Sequence, residues 1–325
     1  MTQEELSTLT CSALIGQAVG DAFGVPVEFL SRAEVRALGI RDMVGCDTPD
    51  HPNTRWAAII PAGSWSDDTS MTLASMASFA NCGGRFDPRD QMTQFVNWWE
   101  NKQYCCLNMP FGLGGSVAKA LDRFVRGGDP SECGGREFNT NGNGALMRIL
   151  PFSLYCIHHG LDEAETAQFA GDGSALTHAH EISRMCCFVW TELLRSLAEE
   201  KDLSRAIDRI EAIDYAKYYS PETLDSFRFL TEKRVRSLTE EEIAEDGFVV
   251  ETLKTALFSL VNSSGFESAI LTAVGLGGDS DTSGAVTGTA AGILYGLEKV
   301  PERWVLRLQG IGLLLATADS FARSL

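Results

Sequence analysis

Gly284, Gly288, Gly292 and Gly296 recur at a four-residue step through an apolar stretch that ends "AVTGTAAGILYG". At 3.6 residues per turn, that step lines one face of a helix with hydrogen atoms in place of side chains. Each glycine costs about 0.5–1 kcal/mol relative to alanine in a helix, so a close-packed neighbouring backbone must offset a few kcal/mol. The stretch is far shorter than the roughly 20 residues needed to span a bilayer. The expectation is a tightly packed helix at the centre of a helical core, with the polar loop "GLGGDSDTSG" at its N-terminus.

Most of the chain carries the same helical period. Cys11, Ile15, Ala18 and Ala22 fall three or four residues apart, and "DQMTQFVNWWE" follows an Asp87-Pro88 start signal. Strand-like alternation is scarce. Polar, glycine-rich breaks are expected at 20–28, 63–69, 112–116, 139–144, 171–180 and 275–284. Residues 201–247 turn charged, without linker character at either end, and read as peripheral helices of one domain spanning residues 1–325. At 325 residues and 44% hydrophobic content the chain can bury a large core.

The net charge of −17 repels phosphate backbones, which argues against nucleic-acid and anionic-membrane partners. The first residues have two acids and no basic region ahead of their apolar stretch, so a cytoplasmic protein is expected. Nine cysteines, two pairs of them adjacent, suit free thiols better than a disulfide framework or a zinc site. A monomer is the simplest assembly.

Two segments match in chemistry: "WSDDTS", with Ser66, Asp67 and Asp68, and "GDSDTS", with Asp279, Asp281 and Thr282. One such cluster is an ordinary helix cap. Two matching clusters exceed what capping needs, and carboxylates with hydroxyls on tight loops are the ligands of hard divalent cations. "NGNGALMR" offers Asn141, Gly142, Asn143, Gly144 and Arg148 as a cradle for a ribose or phosphate. "GLGG" ahead of a helix offers the backbone of Gly112, Gly114, Gly115 and Ser116 to an anion. His178, in "THAHE", lacks partners at zinc spacing and is a candidate substrate contact.

Together "GQAVGDAFGVPVEF", "GSWSDDTSMTLA", "NGNGALMR", "THAH" and "GGDSDTSGAVTGTAAGILYG" resemble, in order, the ADP-ribosylglycohydrolase family. The resemblance implies an all-α, compact, orthogonal multi-helix fold with two cations, Mg²⁺ or Mn²⁺, at the base of a cleft. It implies a substrate bearing ADP-ribose, on a protein or a small molecule, with arginine the leading acceptor. By the same likeness Ser66, Asp67 and Asp68 face Asp279, Asp281 and Thr282 across the metals, with Asp281 between them. Glu28 matches an acid beside the metals that opens the site or positions water, and Glu28, Asp67 and Asp281 are the candidate catalytic residues. Asp21 braces the first loop.

Two departures stand out: Ser66 where a threonine is common, and Gly112 where arginine-acting relatives of the nitrogenase-reactivating type carry an acid. The second implies weaker commitment to arginine, with serine-linked or small-molecule ADP-ribose as alternatives and an Asp at 112 as a gain for arginine. All-α isoprenoid synthases also pair two acidic clusters with Mg²⁺, but their DDxxD spacing is missing here. A non-catalytic ADP-ribose-binding protein would have lost metal ligands, and every matched position still carries oxygen.

Overall fold

The computed structural model describes residues 1–49 and 51–325, and among them there is no strand, only two isolated bridges, Gly135 with His178 and Gly142 with Phe248. The α-helices, in order, are α1 (Gln3–Gly24), α2 (Arg32–Leu38), α3 (Asp67–Asn81), α4 (Pro88–Asn101) and α5 (Gly115–Val125). They continue with α6 (Leu150–His159), α7 (Glu163–Ala175), α8 (Glu181–Glu200), α9 (Leu203–Ala212), α10 (Pro221–Asp225) and α11 (Arg228–Thr231). The last are α12 (Val249–Val261), α13 (Phe266–Gly275), α14 (Ser280–Tyr295), α15 (Glu302–Val305) and α16 (Ile311–Ser324). No single described helix is long and apolar enough to cross a membrane.

The expected glycine helix is α14, buried from Ser280 to Ile293. Its partner is α1, which opens with a capping box between Thr2 and Glu5 and is buried along most of its inner length. α1 answers with its own glycines. A Cβ on Gly16, Gly20 or Gly24 would strike the carbonyl of Gly288, Gly284 or Ser280, and a Cβ on Gly284, Gly288 or Gly292 would strike that of Gly20, Gly16 or Ser12. Two backbones therefore touch, and dispersion along the seam offsets the poor helix propensity of its residues. Gly296 departs from the expectation: with φ +84 it terminates α14 instead of extending the seam.

Two anticipated breaks are also corrected. α1 runs through Gly20 to Gly24, and α7 runs through Gly171 and Gly173 to Ala175. In each case packing against a neighbour sets the glycine, with Phe152 filling the space at Gly173. α4 begins as anticipated, with Asp87 accepting from the amides of Arg89 and Asp90. The 201–247 segment is peripheral at α9, but its end is not. A Cβ on Gly278 would strike Glu245, and Gly247 lies against Asp279, so the segment closes over the loop that starts α14.

Candidate functional site

The C-terminal half of α1 positions both acidic turns. Asp21, fully buried, accepts from the Ser66 amide at 2.9 Å, the Thr69 amide at 3.1 Å and the Thr69 hydroxyl at 2.7 Å. It sits at the positive end of the α3 dipole, which suits a carboxylate. One turn earlier, Gln17 Nε2 donates to the Asp68 carbonyl at 3.2 Å, to Thr72 Oγ1 at 2.8 Å and to the Met147 carbonyl at 2.8 Å. On the other side, Ser280 Oγ donates to the Gly24 carbonyl at 2.9 Å, fixing the first turn of α14 to the end of α1.

Asp67 and Asp68 thus enter from the N-terminus of α3, and Asp279, Asp281 and Thr282 from that of α14. They line one narrow cavity of about 150 Å³ together with Glu28, Gly112, Gly114, Gly115, Ser116, Gly142, Asn143, Gly144 and His178. Carboxylate oxygens of Asp21, Asp68 and Asp281 lie within 4.8 Å of one another, as do those of Glu28, Asp279 and Asp281, so Asp281 belongs to both groups. Ser66 stands just behind, its hydroxyl 3.0 Å from Asp68 Oδ2.

Burial pushes the Asp67, Asp68 and Asp281 carboxyls well above the usual range, and the neighbouring acids push them further. Asp21 rises to about 6, chiefly from burial, although its three donors pull it back. Glu28 rises to about 7, from burial and the Asp279 charge, against the pull of the Trp56 N–H and the Arg55 guanidinium. Asp68 Oδ1 is buried without any partner. A crowded, all-oxygen, mutually repelling donor set with an unpaired buried oxygen fits hard divalent cations.

The Glu28 turn is clasped to the second acidic loop: the Phe29 amide donates to the Gly278 carbonyl and the Gly278 amide to the Leu30 carbonyl, both at 2.8 Å. Phe29 pays for this register with a left-handed φ of +63, uncommon for a bulky residue, while its ring stays exposed. Asn143 lines the cavity but donates to Asp279 Oδ2 at 2.9 Å and to Thr252 Oγ1 at 3.0 Å, so it orients an acid of the site.

Arg148 and Asn141 do not reach the cleft. Arg148 is fully buried, donates to the Gly173 carbonyl at 3.1 Å and to Thr177 Oγ1 at 2.8 Å, and lies 4.7 Å over the Phe95 ring. Burial lowers it to about 10, so it remains a cation. It acts on the cleft through Thr177, whose hydroxyl lies 2.9 Å from His178 Nδ1. With its oxygen already accepting from arginine, that hydroxyl donates to Nδ1, which leaves the imidazole proton on Nε2, the nitrogen that a Cβ added to Gly142 would meet at 3.7 Å. Burial and the nearby Arg148 hold His178 neutral, down to about 3. Asn141 is a strut as well: its amide donates to the Phe138 carbonyl and its oxygen accepts from Ser183. An Asn-Gly pair and a lone arginine carry no signal in sequence that separates strut from contact.

Gly112 has φ +89, and a Cβ there would strike the Asp67 carboxylate. An Asp at 112 would therefore have to move the Asp67 carboxylate and adopt a left-handed backbone, a cost that opposes the gain expected for arginine. Sequence reading missed three further residues: Gln17, Trp56, which donates to Glu28, and Phe138, 65% exposed beside His180 and Phe248. Only Phe138 had a signal, as an aromatic just ahead of the asparagine turn.

The family profile described as ADP-ribosylglycohydrolase matches residues 3–325. An ADP-ribosylarginine hydrolase, Tri1, of Serratia proteamaculans is 30% identical, covering 91% of this chain and 74% of the relative. An ADP-ribosyl-[dinitrogen reductase] glycohydrolase of Rhodospirillum rubrum is 26% identical, covering 95% and 92%, and the ADP-ribosylhydrolase ARH3 of Danio rerio is 26% identical, covering 96% and 88%. A solved structure titled "ADP-ribosylglycohydrolase-related protein complex" superposes with a TM-score of 0.75 at 28% identity, over 99% of both chains.

Proposed function

This chain belongs to the ADP-ribosylglycohydrolase family, and from that premise we propose that its acid-walled cleft hydrolyses the bond between ADP-ribose and an acceptor, arginine foremost. The observation that carries the reading is the convergence of two helix N-termini, with their carboxylates, on one cavity. Two divalent cations, Mg²⁺ or Mn²⁺, would be held by Asp67, Asp68, Asp279, Asp281 and Thr282, with Ser66 in reach. Such ions supply a grip on the distal ribose hydroxyls and polarisation of the reacting centre.

The chain's own groups do the rest. The N-terminus of α5, with the backbone of Gly114, Gly115 and Ser116, is disposed to receive the diphosphate. His178 Nε2–H adds a neutral donor to the same wall. The exposed face of Phe138, beside a hollow of about 410 Å³ that also includes His180, suits the base. Glu28, with an affinity for protons near neutrality, can hold or release one at the scissile C1″ bond, where positive charge develops on the ribose. Asp67 and Asp281 complete the catalytic acids. We read residues 1–325 as one such catalytic domain.

Incubation with an arginine-ADP-ribosylated protein in Mg²⁺ or Mn²⁺ should release free ADP-ribose, and EDTA should stop it. A serine-linked substrate run in parallel reads acceptor preference. No release from either, in the presence of metal, rejects the reading.

A further inference from the structure

Besides its two larger cores, the protein has a small separate one next to Glu28 and Gly112, formed by Val25, Trp56, Ile60 and Phe111. Its members come from three chain segments that hold no regular helix in common: the turn before Glu28, the 54–60 loop and the irregular approach to Gly112. Trp56 is its centre. The indole is 8% exposed, its ring lies 4.9 Å from that of Phe111, and the Arg55 guanidinium covers its outer face at 4.4 Å. Thr54 Oγ1 donates to the Pro26 carbonyl at 2.6 Å, pinning the same loop to the turn that bears Glu28.

The indole N–H of Trp56 points inward and donates to Glu28 Oε2. A buried indole N–H needs a partner, and a carboxylate that must stand at one spot beside Asp279 and Asp281 needs a fixed donor. Each satisfies the other. Because Phe111 directly precedes Gly112, the same ring ties the carboxylate to the glycine loop that passes Asp67.

We infer that Trp56 is the positioning residue of Glu28, holding its carboxylate at the reacting centre and coupling that position to the Gly112 loop through Phe111. The inference rests on the hydrolase reading for its kinetic consequence, but not for the contact itself. Trp56 does not line the cavity. Its removal therefore changes how well the bound substrate reacts more than how well it binds.

Trp56→Phe keeps an aromatic ring in the small core and deletes only the N–H. It should melt close to wild type and lower kcat by about tenfold to a hundredfold, the equivalent of one hydrogen bond to a charged group, with KM changed less than about threefold. In a Glu28→Gln background the same substitution should have little further effect, because the two residues act as a unit. Additive losses, or a rise in KM at unchanged kcat, would overturn the inference. A readout without turnover accompanies this: the Trp56 indole resonance in ¹⁵N-tryptophan-labelled protein, assigned by its loss in Trp56→Phe. It should move on Glu28→Gln, and an unmoved resonance overturns the inference whatever the kinetics. If wild type releases no ADP-ribose, the functional reading fails and the resonance alone decides the contact.

Discussion

The two acidic turns read almost alike, "WSDDTS" and "GDSDTS", yet different forces hold them. The first is gripped by side chains: Asp21 and Gln17 of α1 take its amides, hydroxyls and a carbonyl in directed hydrogen bonds. The second is held chiefly by close backbone contact, with α14 pressed on the glycines of α1 and Gly278 wedged against Glu245, and only Ser280 and Asn143 add side-chain bonds. The grip on Ser66 is through its backbone amide, so it does not depend on which hydroxyl side chain stands there. A backbone seam tolerates no added carbon. Similar motifs can thus share one cavity and still differ in what would dislodge them.

If the turns form one centre, the largest effect comes from either side alike. Asp281→Asn and Asp68→Asn should each lower turnover by about a thousandfold, several kcal/mol of barrier, without lowering the melting point of the cation-free protein. Relief of like-charge repulsion accounts for the retained stability. An active Asp68 variant beside a dead Asp281 variant would break the symmetry.

The next effect separates the turns. Gly20→Ala should destabilise by about 3 kcal/mol, because overlap with the Gly284 carbonyl outweighs the 0.5–1 kcal/mol that alanine gains in a helix, and denaturant melts would measure it. Third, Gly112→Asp should reduce arginine-linked turnover by about a hundredfold, since the new side chain meets Asp67 at a left-handed position. A gain in turnover would restore the acid-at-112 expectation.

A pH series on cation-free protein gives a smaller shift. Asp21 and Glu28 are raised in the fold, to about 6 and about 7, from 3.8 and 4.5. Between about pH 4 and pH 7 the folded state therefore holds more protons than the unfolded chain. The stability these groups contribute is complete below the unfolded values and is lost as pH rises through the folded ones. The melting point should fall from pH 5 to pH 8, and Mn²⁺ should flatten the decline. The smallest effect is a control: Gly312, in α16, has open space at its Cβ, so Gly312→Ala should stabilise by about 0.5–1 kcal/mol where Gly20→Ala destabilises.

Much of this was legible in sequence because it is local. Asp87-Pro88 marked the start of α4, the glycine step marked α14, and two carboxylate clusters ahead of helices marked the cavity. What stayed hidden depends on contacts across space. The glycines of α1 face α14 only once the helices are crossed. Arg148 looks like a ligand contact until Phe95 and Thr177 enclose it, and Asn141 until Ser183 takes its oxygen. The 201–247 segment gave no sign that its end, at Glu245 and Gly247, closes over Asp279.

The most direct test counts metal. Titration of Mn²⁺ followed by electron paramagnetic resonance should saturate wild type at two ions per chain. It should leave no more than one tight site in Asp281→Asn, because Asp281 alone belongs to both carboxylate groups. An unchanged stoichiometry in that variant, or no tight site in wild type, would contradict a shared centre built by the two helix N-termini.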